Sequence, residues 1–213
     1  MKNIVCLIIG LFICTFAFSG NITTTYDKGA FHTTKTAVIN GDYTTCSRVT
    51  DRFILEFQTT PANLFTWAFK GLGQTHQGDG TDDVVLVMNS FRYNPDSAKS
   101  VVNVDFRMSN GLTIRDKDLM SYVHDNTYGD SLRIIIVDFY YSGSLLKKAD
   151  GVFTLKRLND KQTEITIDTN IRFGWFFNIF ITQRRYRNVM EWRIDKFIDN
   201  LQEEAESNWK LSE

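Results

Sequence analysis

The sequence is poor in residues that cross-link or rigidify a chain. Its 213 residues include three cysteines and two prolines. Two of the cysteines, Cys6 and Cys14, lie in the first 20 residues, so removal of that stretch would leave Cys46 alone. One cysteine cannot form an internal disulfide. We therefore expect a core that is stable without covalent cross-links.

Neither sign of charge is in excess. The chain carries 24 lysines and arginines against 25 aspartates and glutamates. Without residues 1–20, which contain Lys2, the balance is 23 basic residues against 25 acidic ones, a net charge of −2. A nearly neutral balance argues against nucleic acid as a general partner.

An apolar run of membrane-spanning length is also lacking. The run Ile4–Phe18 follows Lys2 and precedes Ser19-Gly20, the order of charged, hydrophobic and small residues that is typical of a secretory signal peptide. It is shorter than the ~18–20 residues that span a bilayer, which disfavours an uncleaved anchor. A lipoprotein is disfavoured because Cys14 does not follow small residues. We predict that residues 1–20 are a signal peptide and that the protein is periplasmic or extracellular.

Motifs for catalysis, cofactors and metals are scarce. The three histidines are scattered, whereas zinc needs three or four converging ligands. The loop with Asp79, Asp82 and Asp83 lacks the glycine and glutamate spacing of an EF-hand. Gly71-Leu72-Gly73 lacks the third glycine of a dinucleotide-binding loop, and no base neighbours Cys46. We predict no metal site, no cofactor and no catalytic residue.

What the sequence does contain is strands. Alternation of apolar and polar residues predicts an α+β protein with an antiparallel sheet of about six to seven strands. Asn110-Gly111 favours a hairpin turn, and Gly151 is a candidate β-bulge. The predicted strands are Arg52–Gln58, Val84–Tyr93, Val101–Met108, Leu112–Val123, Leu132–Tyr141, Leu145–Leu158 and Thr163–Phe173, with Thr34–Asn40 as a possible extra one.

Two helices are predicted beside the strands. Thr59-Thr60-Pro61 is typical of a helix start, and the short helix that follows carries Trp67 and ends near Gly71 and Gly73. The second is a long C-terminal amphipathic helix over Trp175–Glu206, or from Thr182 if the preceding residues are an apolar lead-in. Its apolar stripe consists of Phe176, Ile179, Tyr186, Met190, Ile194, Phe197, Leu201 and Ala205. A lone long helix must lie across the sheet to bury such a stripe.

The order of these elements resembles a known family. Arg52–Gly71, "RFILEFQTTPANLFTWAFKG", is similar to the opening of START-like helix-grip domains of the polyketide cyclase and lipid-transfer type. Asp150–Gly174, "DGVFTLKRLNDKQTEITIDTNIRFG", followed by a long helix, is similar to their close. The family usually has two short helices after its first strand, whereas one is predicted here. We accordingly divide the chain into residues 1–20, an N-terminal extension at 21–47 with a possible extra strand, and a START-like helix-grip domain at 48–213.

The resemblance implies a function. In this family the sheet wraps around the last helix, and an apolar cavity between them holds lipids, sterols or polycyclic molecules. We therefore predict an exported binding protein for a hydrophobic small molecule or lipid. Two alternatives stay open: a cavity enzyme of the cyclase or hydratase type, and a cavity-free structural or interaction domain. An enzyme would need an acid/base cluster inside, and the predicted inward faces are apolar, so binding without catalysis is favoured.

Candidate site residues follow from the predicted inward faces. Those expected to bind the ligand are Trp67, Phe106, Tyr140, Thr169, Met190 and Phe197. Arg187 and Arg193 lie at the edges of the helix stripe, where a buried arginine needs either a strand residue, which we favour, or the polar end of a ligand. Arg184, Arg185 and Arg187 form a basic segment that is either a solvated face or a contact with anionic membrane lipids.

Overall fold

The computed structural model describes residues 22–72, 84–108, 111–140, 146–175 and 181–210. The predicted signal peptide, the loop with Asp79, Asp82 and Asp83, and the stripe residues Phe176 and Ile179 lie outside these ranges. Within them, no helix has both the length and the apolar character that crossing a membrane requires.

The described residues form one antiparallel sheet with helices on its inner side. The sheet has eight strands in the order β1-β2-β8-β7-β6-β5-β4-β3. In chain order the elements are β1 Thr23–Asp27, β2 Ala30–Asn40, α1 Tyr43–Thr59, α2 Pro61–Leu64, β3 Val84–Asn94, β4 Lys99–Met108, β5 Thr113–Tyr128, β6 Leu132–Tyr140, β7 Leu146–Asn159, β8 Gln162–Phe173 and α3 Gln183–Lys210. The predicted α+β class, the strands from Val84 onward and the long C-terminal helix are confirmed.

The C-terminal helix begins at the later of its two predicted starts. The hydroxyl of Thr182 accepts a hydrogen bond from the backbone N–H of Arg185 at 3.2 Å. A side-chain oxygen at this position satisfies one of the N–H groups that the first turn leaves without a helical partner. α3 therefore extends from Gln183 to Lys210 behind a threonine cap.

The prediction of a strand over Arg52–Gln58 is wrong, because these residues belong to α1. The helix begins earlier, where the Asp42 carboxylate accepts the backbone N–H of Thr45 at 2.9 Å. Buried positions then recur at helical spacing, and Leu55, which alternation placed beside its neighbours at 53 and 57, is exposed. The three large apolar residues at 53, 55 and 57 fit a strand when they are considered alone. The capping residue and the helical spacing become visible only when the sequence is considered from Asp42 onward.

Two strands of the sheet, β1 and β2, come from the predicted N-terminal extension. The possible strand at Thr34–Asn40 is confirmed as part of β2, which lies between β1 and β8. The predicted boundary between residues 47 and 48 falls within α1. With β2 as the first long strand, α1 and α2 are the two helical segments that follow it. The sequence predicted only one of the two helices that usually follow the first strand in START-like domains. The helix that it did not predict is α1.

The sheet is strongly curled. Phe173 of β8 and Ile181, ahead of α3, pack against Val104 and Phe106 of β4. Three strands, β7, β6 and β5, separate β8 from β4 in the sheet order, so a flat sheet would hold these side chains far apart. Curling brings them together and creates a concave inner face.

α1 and α3 cover part of this concave face. One apolar cluster joins them to the inward side chains of the sheet, and its members are Ala37, Ile39, Cys46, Val49, Ile135, Leu155, Ile165, Ile167, Ile194, Ile198, Leu201 and Ala205, together with Tyr43, Leu64, Trp67 and Ala68. The predicted stripe residues Ile194, Leu201 and Ala205 are buried in it. Full burial of each large aliphatic side chain contributes about 1.5–3 kcal/mol, so this cluster is the main source of stability.

Candidate functional site

The inner face of the sheet divides into two ends along the strands. Side chains directly opposite one another in paired strands share a face, so the strand register defines rows of inward-facing residues. One inward row contains Arg133, Leu155, Ile165 and Ala37. Another, four residues away along each of these strands, contains Val123, Val137, Gly151, Thr169 and Thr33. We call the first region, with Ile39, Ile135, Leu155 and Ile165, the packed end. The second, with Val137, Phe139, Ala149, Gly151, Thr169 and Ile171, is the open end.

Burial differs between the two ends along β6, β7 and β8, whereas Thr33 of β2 in the open-end row is 0% exposed. At the packed end Leu155 is 0% exposed and Ile165 is 2% exposed. All six residues that define the open end are only half-buried, although they point into the concave face. These inward-facing side chains remain accessible near the middle of the curled sheet, so they border a space that the described residues leave open.

Gly151 lies at the centre of that space. The prediction of a bulge here is wrong, because the ladder is regular from Val137 through Gly151 to Thr169, and the irregular positions of β7 lie at its two ends. A Cβ added to Gly151 would meet the carbonyl oxygen of Asp168 at 3.7 Å and Cγ2 of Thr169 at 3.8 Å, and among the described residues nothing else within 4 Å. The glycine therefore leaves room between the sheet and the helices rather than relieving strain.

The walls of the open end are largely apolar and aromatic. Phe57 of α1 meets Phe139 edge-on, with ring centroids 6.3 Å apart. Phe197 of α3 contacts Phe53 of α1 at 5.7 Å, which joins the two helices above the sheet. An apolar surface of this kind favours an apolar ligand, since removing it from water is favourable.

A cluster of four hydroxyl groups interrupts the apolar wall. The Thr33 hydroxyl donates to the Tyr186 hydroxyl at 3.4 Å and lies 3.2 Å from the Thr24 hydroxyl. The Thr169 hydroxyl donates to the carbonyl oxygen of Thr33 at 3.4 Å. Burial raises the pKa of Tyr186, so its hydroxyl is protonated at neutral pH. We call Thr24, Thr33, Thr169 and Tyr186 the hydroxyl cluster.

An ion pair between a buried lysine of β2 and an exposed aspartate side chain of α3 lies beside the hydroxyl cluster. The ammonium of Lys35 is 2.7 Å from a carboxylate oxygen of Asp195 on α3, and the Lys35 side chain is 4% exposed. Burying a lysine is costly unless a carboxylate compensates its charge, as Asp195 does here. Sequence analysis missed both polar features, because their members come from β1, β2, β8 and α3 and follow no local pattern.

The predicted site residues occupy different positions. Phe106 and Thr169 face inward, and Met190 and Phe197 are half-buried on α3. Trp67 is buried against α1, where its indole N–H donates to Glu56 at 2.7 Å. Whether these residues bind a ligand stays a prediction.

The expectation that Tyr140 faces inward is wrong. It pairs with Met120 on the convex face and is 53% exposed, while Phe139 holds the inward position. Because β6 is apolar on both faces, the sequence pattern did not distinguish one face from the other.

The arginines of α3 also have different surroundings. Arg187 donates from Nη2 to the carbonyl oxygen of Thr24 at 3.2 Å, so its partner is a strand residue as predicted. Arg193 is half-buried, while Arg184 and Arg185 are exposed. Arg187 is exposed as well, so all three arginines of the basic segment are exposed near the start of α3.

A second, polar depression of about 450 Å³ lies at the packed end, beside the first turns of α1. Arg133 forms one wall, where it donates to Asp125 at 2.5 and 2.9 Å, to Asp51 at 2.6 Å and to the Ser47 carbonyl oxygen at 3.1 Å. Hydrogen bonds to these carboxylates raise the pKa of Arg133 further above its usual range. With its charge compensated, Arg133 joins α1 to β6.

Other chemistry finds little support in the described residues. Burial raises the pKa of Cys46 to about 11, so its thiol is protonated and unreactive at neutral pH. No group of three or more His, Cys, Asp or Glu side chains in this part of the chain could hold a metal ion.

Comparison with known proteins identifies the fold. No protein-family model and no curated protein matches the chain. Among solved structures, a conserved protein from Geobacillus kaustophilus is 15% identical, with 83% of this chain and 95% of that one covered and a TM-score of 0.52. Zhui aromatase/cyclase from Streptomyces sp. R1128 is 9% identical, with 83% and 94% covered and a TM-score of 0.50. A START superfamily protein from Mycobacterium smegmatis is 12% identical, with 83% and 97% covered and a TM-score of 0.45.

The chain thus has a START-like helix-grip fold: a curled antiparallel sheet with a long C-terminal helix. Identities of 9–15% show a shared architecture and leave the function to be argued from the residues of this chain.

Proposed function

We propose that this protein binds an apolar small molecule at the open end, between the curled sheet and α3. The observation that carries the proposal is the half-buried inward row around Gly151, beside a fully packed region of the same sheet. A ligand there would cover Val137, Phe139 and Ile171 and remove their remaining surface from water. Each Å² of apolar surface covered contributes about 25 cal/mol, which makes a snugly held ligand of drug-like size favourable.

The chemistry of the wall points to the class of ligand. Aromatic rings of α1 and β6 face the space, and flat polycyclic molecules pack well against such rings. One solved structure with this architecture is an aromatase/cyclase. Polycyclic aromatic molecules are therefore the first ligands to test. Lipids are the second class, because long acyl chains suit an apolar space equally well.

A glycine substitution tests the proposal. Gly151→Val would place three carbon atoms in the space, and its Cβ would meet only ordinary contacts at 3.7 and 3.8 Å. We expect the variant to fold and to lose at least tenfold in affinity for a polycyclic probe such as fluorenone, measured by calorimetric titration. Val152→Phe, one residue along on the convex face, is the matched control and should bind as the wild type does. Equal affinity of the wild type and Gly151→Val would contradict the proposal.

We further propose that the protein is exported. The support is the signal-like order of Lys2, Ile4–Phe18 and Ser19-Gly20. Intact-mass measurement of the protein secreted by a host with a general export pathway tests this. Loss of about 20 residues is expected, and recovery of only the full-length chain from the cytoplasm would contradict it.

Contact with anionic membranes is the finer part of the proposal. Arg184 and Arg185 are exposed at the start of α3, and Trp175, which follows β8, is 63% exposed. Exposed guanidinium groups and an exposed aromatic side chain each favour contact with a surface of anionic lipid headgroups. Co-sedimentation with phosphatidylglycerol vesicles but not with phosphatidylcholine vesicles, weakened in Arg184→Glu/Arg185→Glu, is expected. Equal sedimentation with both vesicle types would count against it.

A further inference from the structure

The hydroxyl cluster borders the space around Gly151. Thr169 lies directly opposite Gly151 in the β7–β8 ladder, and its Cγ2 atom is 3.8 Å from the position of an added Cβ there. Thr169 is half-buried, whereas Thr24, Thr33 and Tyr186 behind it are buried. A molecule in the space would therefore touch Thr169, which belongs to the same cluster as Tyr186.

Tyr186 is held in a fixed position. Its ring stacks on Phe31 with centroids 3.9 Å apart and planes inclined by 14°, and it meets Phe173 edge-on at 6.1 Å. The hydroxyl group at the end of this clamped ring accepts a hydrogen bond from the Thr33 hydroxyl at 3.4 Å. The ring positions the hydroxyl without help from a ligand, which is the preorganisation that specific recognition requires.

The hydrogen bonds of the cluster are long. Their distances are 3.2 to 3.4 Å, whereas O–H···O bonds between well-placed partners are about 2.7–2.8 Å. Each hydroxyl group has one proton and two lone pairs and can rotate to suit a new partner. The cluster can therefore exchange a weak internal bond for a shorter one to an oxygen of the ligand.

The surroundings favour an uncharged oxygen. The ammonium of Lys35, on the same strand as Thr33, is held by Asp195 at 2.7 Å. Glu191 on α3 is close enough to raise the pKa of Tyr186, although burial is the larger cause, and its negative charge would repel an anion. A ligand carboxylate would lose its bound water molecules on entering this site. It would receive only hydroxyl groups in exchange and would lie near the negative charge of Glu191, so its binding is disfavoured.

We propose that Tyr186 and Thr169 form a polar subsite that binds a neutral hydroxyl or carbonyl oxygen of an otherwise apolar ligand. This inference rests on the proposed binding function and makes it more specific. The ligand would lie with its oxygen toward β2 and β8 and its apolar part against Val123, Val137 and Phe139 of β5 and β6.

Three probes with one ring system test the subsite: fluorene, fluorenone and fluorene-9-carboxylate, titrated by calorimetry. The wild type should bind fluorenone about fivefold more tightly than fluorene, as expected for one neutral hydrogen bond, and should bind the carboxylate at least tenfold more weakly than fluorenone. Tyr186→Phe should remove the preference for fluorenone and leave the affinity for fluorene unchanged. Tyr43→Phe, which removes a buried hydroxyl at the packed end, is the matched control and should keep the preference.

The outcomes separate the two proposals. If the wild type binds all three probes alike, or if Tyr186→Phe keeps the preference for fluorenone, the subsite is wrong and binding at the open end stands. If the wild type binds none of the three probes, and no lipid either, the proposed function fails and the subsite with it. Thr169→Val, which keeps the shape and removes the hydroxyl, provides the same test should Tyr186→Phe not fold.

Discussion

The packed end and the open end are made from the same strands, yet they have different inner surfaces. At the packed end Leu155 and Ile165 lie beneath Ile194, Ile198 and Leu201 of α3 in one cluster. At the open end the corresponding positions of β7 are Ala149 and Gly151, which are too small to reach the helices. The two ends therefore differ in how fully the described side chains cover the inner face of one sheet.

The largest expected difference between the two ends is in stability. Leu155→Ala should lower the free energy of unfolding by about 3–4 kcal/mol, because it opens a cavity in a fully packed cluster. Val137→Ala at the open end should cost only about 1 kcal/mol, because its side chain is only half-buried at the edge of the main cluster. Urea titrations of both variants measure the contrast, and equal losses would show that the two ends are packed alike.

The next effect concerns the joint between α1 and β6. Arg133→Met should lower the free energy of unfolding by about 2–3 kcal/mol, because it leaves Asp51, Asp125 and the Ser47 carbonyl oxygen without their shared donor. Affinity at the open end should be unchanged, because Arg133 lies at the other end of the inner face. Thermal unfolding and ligand titration of the same variant check both statements. A variant as stable as the wild type would remove the structural role assigned to Arg133.

The smallest effect is that of the α1 cap, and it depends on pH. Burial raises the pKa of Asp42, but hydrogen bonds from Thr45 and Thr44 and the charge of Arg48 outweigh burial and lower it. Because the pKa is lowered in the folded state, the ionised carboxylate stabilises the protein at pH values above the unfolded-state pKa of about 3.9. This stabilisation is lost as the pH falls through the pKa of the folded state. Asp42→Ala should therefore cost about 1 kcal/mol at pH 7.

The pH dependence provides the control for this variant. The difference between Asp42→Ala and the wild type should begin to shrink below about pH 4, where the carboxyl becomes protonated in the unfolded state, and should shrink further as the pH falls through the lowered pKa of the folded state. Chemical unfolding at several pH values measures it. A difference that stays constant down to pH 2 would show that the carboxylate charge does not stabilise the cap.

Much of the fold could be predicted because its strands alternate cleanly. The predicted strand Thr163–Phe173 has one largely polar and one largely apolar face. In the structure it is β8, which begins one residue earlier at Gln162. The prediction failed at Arg52–Gln58, where phenylalanines at 53 and 57 flank Leu55 and imitate a strand within a helix. Tyr140 was assigned to the wrong face because β6 is apolar on both, so that only its pairing with β5 shows which side chains point inward.

The site was harder to predict than the fold. Glycine in a strand is typical of a bulge, and only the register shows that Gly151 leaves space at the centre of the concave face. Thr24, Thr169 and Tyr186 are more than 140 residues apart at the extremes and meet through a β2–β8 pairing that joins distant parts of the chain. A pattern search along the sequence has no means of bringing such residues together.

The central claim is that an apolar space remains unfilled over Gly151. A crystal structure of the protein under xenon pressure tests it most directly, because xenon binds in unfilled apolar cavities of proteins. We predict a xenon site between Val137, Gly151 and Thr169, and its absence from crystals of Gly151→Val. Side chains packed tightly against Gly151, with no xenon there, would contradict the claim and favour a cavity-free domain.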